Sequence, residues 1–85
     1  MPVISRFFGI LIIIYWRDHS PPHFHAKYGG QEIEIEIVNG TVTGKMAPRA
    51  LGLIQEWRER HIEELLSDWQ LASQNKPLNE IPPLE

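Results

Sequence analysis

Three of the four histidines of this chain lie in one short stretch, DHSPPHFH, which runs from Asp18 to His25. Imidazole and carboxylate groups bind divalent transition metals such as zinc, and imidazoles also move protons near neutral pH. We therefore treat His19, His23 and His25 as candidate metal ligands. The sequence does not determine which metal they would bind.

A double-glycine turn allows the strand partners of these histidines to be counted. Glycines reach the positive φ that a two-residue hairpin turn needs, so the Gly29–Gly30 turn fixes a register between its two strands. In that register His25 faces Glu34 and His23 faces Glu36, on the polar side of the ribbon. His23, His25 and Glu34 are candidate catalytic residues, with Glu34 orienting one imidazole.

Three interpretations of this patch stay open. It is a metal site, a metal-free acid–base site acting for example on an RNA phosphate, or a structural corner held by cross-strand pairs. Whether the protein is an enzyme is not decided by the sequence. The neighbouring side chains that could contact an anion or a partner are Asp18, Tyr15, Arg17 and Lys27.

The patch is part of a predicted β-meander of four or five strands over residues 1–45. The segments Val3 to Phe7 and Ile10 to Trp16 are predicted strands, and QEIEIEIV alternates as a half-buried strand does. A second two-residue turn at Asn39-Gly40 would set Thr43 beside Glu36. The strand from Ile10 is apolar throughout and needs cover on both faces, so a homodimer is one candidate arrangement.

Residues 48–74 are predicted to be helical. Pro48 suits a first helical position, and apolar residues then recur at three- and four-residue steps. Arg58 interrupts that apolar stripe, which predicts a break near Glu59 to His61 and hence two helices. Residues 75–85 contain three prolines, and they predict an extended tail laid on the body.

Composition bounds the class of protein. The 85 residues predict one α+β domain over residues 1–85, with the antiparallel meander packed on one or two C-terminal helices. The net charge of −3 is not the basic balance of a dedicated nucleic-acid binder. With no cysteine and no apolar run long enough for a bilayer, we expect a cytoplasmic protein without a membrane partner.

The opening MPVISRFFGILIIIYWRDHSPPHFHAKYGG resembles a small prokaryotic family, the domain of unknown function 4160. The segments APRAL, EELLSDW and PLNEIPPLE are similar to that family as well, and DHSPPHFH is the most specific part of the resemblance. The family has no established activity. Its members are often encoded beside another short protein, so the resemblance implies a two-gene toxin–antitoxin-like module with that neighbour as partner.

Two functional hypotheses follow. In the first, the protein is a small cytoplasmic component of such a module, and its His/Glu patch binds metal or an RNA phosphate. In the second, it is a non-catalytic protein-binding module, in which the apolar second strand and the tail dock a partner. The histidine-rich corner is then structural.

Overall fold

The computed structural model describes residues 2–85 and contains one five-stranded sheet followed by two helices. The elements are β1 Val3–Phe7, β2 Ile10–Ile13, β3 His23–Tyr28, β4 Gln31–Glu36, β5 Val42–Thr43, α1 Pro48–Arg60 and α2 Ile62–Ser73. The strands are antiparallel and lie in chain order. The predicted α+β fold with C-terminal helices is confirmed. Met1, which the predicted meander includes, lies outside the described residues.

The β3–β4 hairpin has the register that its glycines predict. His25 pairs with Glu34, and His23 pairs with Glu36. Gly29 and Gly30 both have positive φ, at 55° and 81°. Because side chains alternate along a strand, this register places the two histidines on the same side of the sheet.

The predicted two-residue turn at Asn39-Gly40 is wrong. Thr43 pairs with Glu34 rather than with Glu36, and the connection runs over residues 37–40. The Glu36 amide bonds to the carbonyl of Thr41 at 2.9 Å, which closes this longer loop. The register is displaced by two residues, so the inward and outward faces are preserved.

Arg58 of α1 gives the physical reason for the longer loop. Its guanidinium is buried and donates to the carbonyl of Ile37 at 2.9 Å and to that of Val38 at 3.3 Å. A Cβ on Gly40 would lie 2.8 Å from Arg58 Nη2. The Arg58 side chain therefore donates hydrogen bonds to carbonyls that would otherwise need a partner across a tight hairpin turn.

The two helices bury their apolar stripes in one core with the sheet. The core residues include Phe24, Ala26, Ile33 and Ile35 of the sheet, Ala50, Ile54 and Trp57 of α1, and Leu65, Trp69 and Ala72 of α2. The predicted break is present, because α1 ends at Arg60 and His61 has a non-helical φ of −131°. Among residues 2–85, no helix is long and apolar enough to cross a membrane.

The C-terminal tail contains no helix or strand, as the prediction of an extended tail requires, and the structure shows that it lies along β1 at the edge of the sheet. The Ile81 amide donates to the carbonyl of Ile4 at 2.8 Å, and Trp57 Nε1 donates to the carbonyl of Pro82 at 2.9 Å. Ile81 and Leu84 are buried in the common core. The tail thus pairs part of an edge strand that would otherwise be open.

A second tail contact involves a buried acid. Asp68 of α2 is 1% exposed, and its Oδ1 accepts the Asn79 amide at 2.9 Å. Its Oδ2 has no hydrogen-bond partner among residues 2–85. Burial raises the pKa of Asp68; the Asn79 hydrogen bond lowers it, nearby Glu64 raises it, and the net direction is upward.

Asp68→Asn should therefore change the pH dependence of stability in a defined direction. Since the folded pKa lies above the unfolded one, the wild type loses stability as pH rises through that interval. We expect the variant to gain stability relative to the wild type over the same interval. Urea unfolding at acidic and neutral pH measures this, and a pH-independent difference would contradict it.

Candidate metal centre

The corner before β3 is anchored to the end of α2 and to the start of the tail. The Arg17 amide donates to the carbonyl of Ala72 at 3.2 Å, and Trp16 Nε1 donates to the carbonyl of Lys76 at 3.0 Å. Arg17 has a φ of 57°, so the chain reverses there. This reversal brings Asp18 back over the first residues of β3.

His23 is the buried member of the histidine cluster, at 3% exposure. Its Nδ1 lies 2.8 Å from the carbonyl oxygen of Pro21, and its Nε2 lies 2.9 Å from Asp18 Oδ2. A carbonyl oxygen only accepts, so Nδ1 carries the hydrogen of this contact. The Trp69 ring packs at 5.1 Å from the imidazole and fixes its position further.

His25, two residues further along β3, also has an oxygen atom near each ring nitrogen. Its Nδ1 lies 3.2 Å from Glu32 Oε2, and its Nε2 lies 3.3 Å from Asp18 Oδ2. The edge of the Tyr15 ring packs against the imidazole at 4.6 Å. Glu32 also pairs with Lys27 at 3.7 Å. A carboxylate only accepts, so Nδ1 carries the hydrogen of this contact. Nε2 donates to Asp18 Oδ2 only when it carries a second ring hydrogen, and otherwise presents its lone pair there.

Two Nε2 atoms thus converge on one carboxylate oxygen. Ligand atoms of Asp18, His23 and His25 all lie within 4.8 Å of one another. If each Nε2 carries a hydrogen to Asp18, both rings are cationic, and their centroids are only 5.2 Å apart. One divalent cation can replace both protons. A histidine whose other nitrogen donates to a carbonyl or a carboxylate is the usual surrounding of a metal ligand.

The electrostatics of the corner favour an ionised Asp18. Burial raises the pKa of Asp18, but hydrogen bonds from the His19 amide and His25, with the charge of His23, outweigh it and lower the pKa. The contribution of this carboxylate to stability is therefore present above the ordinary aspartate pKa. It is lost as pH falls through the lowered folded value.

The Asp18 to His25 corner lies within the part of the chain that matches a known family. The sequence model described as Domain of unknown function (DUF4160) matches residues 9–70. The chain belongs to this family. No curated protein and no solved structure matches the chain. In this DUF4160 protein the matched segment runs from the β1–β2 turn into α2, so it contains the whole Asp18 to His25 corner.

The remaining predicted site residues of the DUF4160 protein, His19 and Glu34, form a second group with His23. His19, His23 and Glu34 also have ligand atoms within 4.8 Å of one another. His19 is 71% exposed, with its ring 5.0 Å from that of His23. A cavity of about 140 Å³ lies beside them. Its lining consists of His19, Pro21, His23, Glu34, Glu36, Thr41 and Thr43.

The structure therefore divides the predicted set of His19, His23 and His25 into two overlapping groups. His23 belongs to both, His25 groups with Asp18, and His19 groups with Glu34. Sequence reasoning had placed Asp18 among the contact residues rather than among the ligands. Glu32 is not among the predicted site residues, although it contacts His25 Nδ1 where Glu34 was expected.

The residues predicted to contact an anion or a partner are spread around the DUF4160 corner. Tyr15 packs on His25, and Lys27 pairs with Glu32. Arg17 is exposed at the reversal that precedes Asp18. Tyr15 and Lys27 thus contact His25 and Glu32, whereas the cavity beside His23 has two glutamates in its lining.

Proposed function

We propose that this protein binds a divalent transition metal ion, zinc in the first place, through Asp18, His23 and His25. The observation that carries the proposal is the position of Asp18 Oδ2, 2.9 Å from one Nε2 and 3.3 Å from the other. Both Nδ1 atoms face acceptors, so both Nε2 lone pairs are available to one ion. Two histidines and one carboxylate form a well-known ligand set for transition metals.

Three protein ligands leave a coordination position for water or a substrate, and this open position distinguishes catalytic zinc sites from structural ones. Of the three proposed ligands only His23 lines the neighbouring cavity, whose lining also includes Glu34 and Glu36. These carboxylates repel phosphate. We therefore favour metal binding over direct binding of an RNA phosphate at this patch.

We further propose a biological setting, which rests on the family resemblance alone. The protein acts in the cytoplasm as one component of a two-gene toxin–antitoxin-like module. Its partner is the short protein encoded beside it. The metal centre then either performs the activity of the module or stabilises the surface that this partner binds.

A second candidate function is favoured by one observation. Each ring nitrogen of His23 and His25 already has an acceptor within the chain, namely Pro21, Asp18 or Glu32. Such a fully bonded cluster can hold a corner without any ion. In that case the protein is a non-catalytic binding module, and the histidines contribute to stability and partner binding only.

Elemental analysis and calorimetric zinc titration separate the two candidates. Protein purified without chelator should hold one zinc per chain, and binding should release protons as the imidazoles become ligands. His23→Ala with His25→Ala should abolish binding, whereas His61→Ala on the helices should not. His61 is the control because it is the one histidine outside the Asp18 to His25 stretch. Unchanged metal content in the double variant, with weaker binding of the neighbouring gene product, would favour the binding module.

A further inference from the structure

Phe8 is held in a strained and exposed position at the opposite end of β2 from the metal centre. Because Phe7 pairs with Ile10, Phe8 and Gly9 form the two-residue turn between β1 and β2. Phe8 has a φ of 49° and Gly9 a φ of 80°. A bulky L-residue rarely adopts such a φ, and Asn or Gly is preferred in this turn. The Phe8 side chain is 60% exposed, so burial does not offset the strain.

An apolar groove lies beside this side chain. Its volume is about 370 Å³, and it is lined by Phe8, Ile10, Tyr28, Arg49, Ala50 and Leu53. Phe8 and Tyr28 are two of the four large apolar side chains that are exposed among the described residues. Aromatic side chains that flank an apolar pocket are typical anchors of protein interfaces.

The charge at the groove is positive. Arg49 is exposed in the first turn of α1 and forms no hydrogen bond or ion pair through its side chain with any residue from 2 to 85. The first turn of α1 contains no acidic residue, and no side chain caps it. The partial positive charge of the helix N-terminus therefore adds to that of Arg49.

We propose that this groove binds a segment of another protein, which inserts an apolar side chain between Phe8 and Tyr28 and places a carboxylate against Arg49. Charge complementarity favours such an occupant over a second copy of this chain. A two-fold dimer through the groove would bring two Arg49 side chains together, and the lining has no acidic residue to separate them. The proposal is independent of the metal centre.

A displayed library of random short peptides, selected on the full chain, tests the chemistry of the occupant. We expect enriched sequences in which Asp or Glu stands next to a large apolar residue. Phe8→Asn should reduce binding of an enriched peptide at least about tenfold, as loss of an interface anchor does. The same variant should unfold at a higher temperature, because Asn suits the turn. A merely structural role for Phe8 does not predict both changes.

Arg49→Glu provides the matched test of charge. It should remove the preference for acidic peptides and select basic ones instead. Enriched peptides without acidic residues, or equal binding to Phe8→Asn, would overturn the proposal. So would a wild-type dimer in sedimentation that Phe8→Asn dissociates, because that result would assign the groove to a second copy.

Discussion

Asp18→Asn is expected to weaken zinc binding by about 100-fold or more, which corresponds to roughly 3 kcal/mol. The substitution keeps the size of the side chain but removes the negative charge and one ligand oxygen. Asp18 Oδ2 is the atom on which both imidazoles converge, and among residues 2–85 no other carboxylate groups with both His23 and His25. Competition with a chromogenic zinc chelator measures the affinities of wild type and variant.

Glu56→Gln is the control for this experiment. Glu56 is exposed on α1 and pairs with Arg60 at 2.9 Å. The substitution therefore removes one negative charge, as Asp18→Asn does, but at a position outside the corner. It should leave zinc affinity within about twofold of the wild type. If Asp18→Asn also stayed within that range, Asp18 would not be a ligand, and the metal centre would have to be assigned elsewhere.

Trp57→Ala is expected to cost about 3–5 kcal/mol of the free energy of unfolding. Trp57 is fully buried in α1 and packs against Phe7 at 5.5 Å and Phe24 at 5.8 Å. The loss is a large share of the roughly 5–15 kcal/mol that stabilises a small domain. Urea unfolding followed by circular dichroism measures it, and a cost below about 1 kcal/mol would contradict the core described above.

Trp57→Phe separates packing from the attachment of the tail. It keeps most of the ring volume but removes the Nε1 donor to the carbonyl of Pro82. We expect a loss of about 1 kcal/mol beyond the small volume change. Proteolysis within the tail should increase in this variant as well, because the hydrogen bond from Trp57 holds the tail on the body.

The sequence predicted the parts of the fold that local chemistry controls. The Gly29–Gly30 turn set the β3–β4 register, since only the turn and the alternation of side chains were needed. Arg58 within an apolar stripe predicted the break between the helices. The Asn39-Gly40 turn was wrong because the carbonyls of Ile37 and Val38 bond to Arg58, a residue about 20 positions later in the chain.

The candidate site was also predicted only in part. The pairing of strands brought His23 and His25 together, as expected. The position of Asp18 depends on how the preceding segment docks on the end of α2, through Arg17 and Ala72, and strand periodicity carries no information on that contact. Glu32 reaches His25 diagonally, since diagonal neighbours on adjacent strands are within reach of long side chains.

Anomalous diffraction at the zinc absorption edge, from crystals of the zinc-loaded protein, is the most direct test of the metal centre. We expect one peak bonded to Asp18 Oδ2, His23 Nε2 and His25 Nε2, at about 2.0–2.2 Å from each. A peak at the exposed His19 and Glu34, or at His61 and Glu64, would contradict it. So would zinc-free density in which Asp18 still bridges both imidazoles.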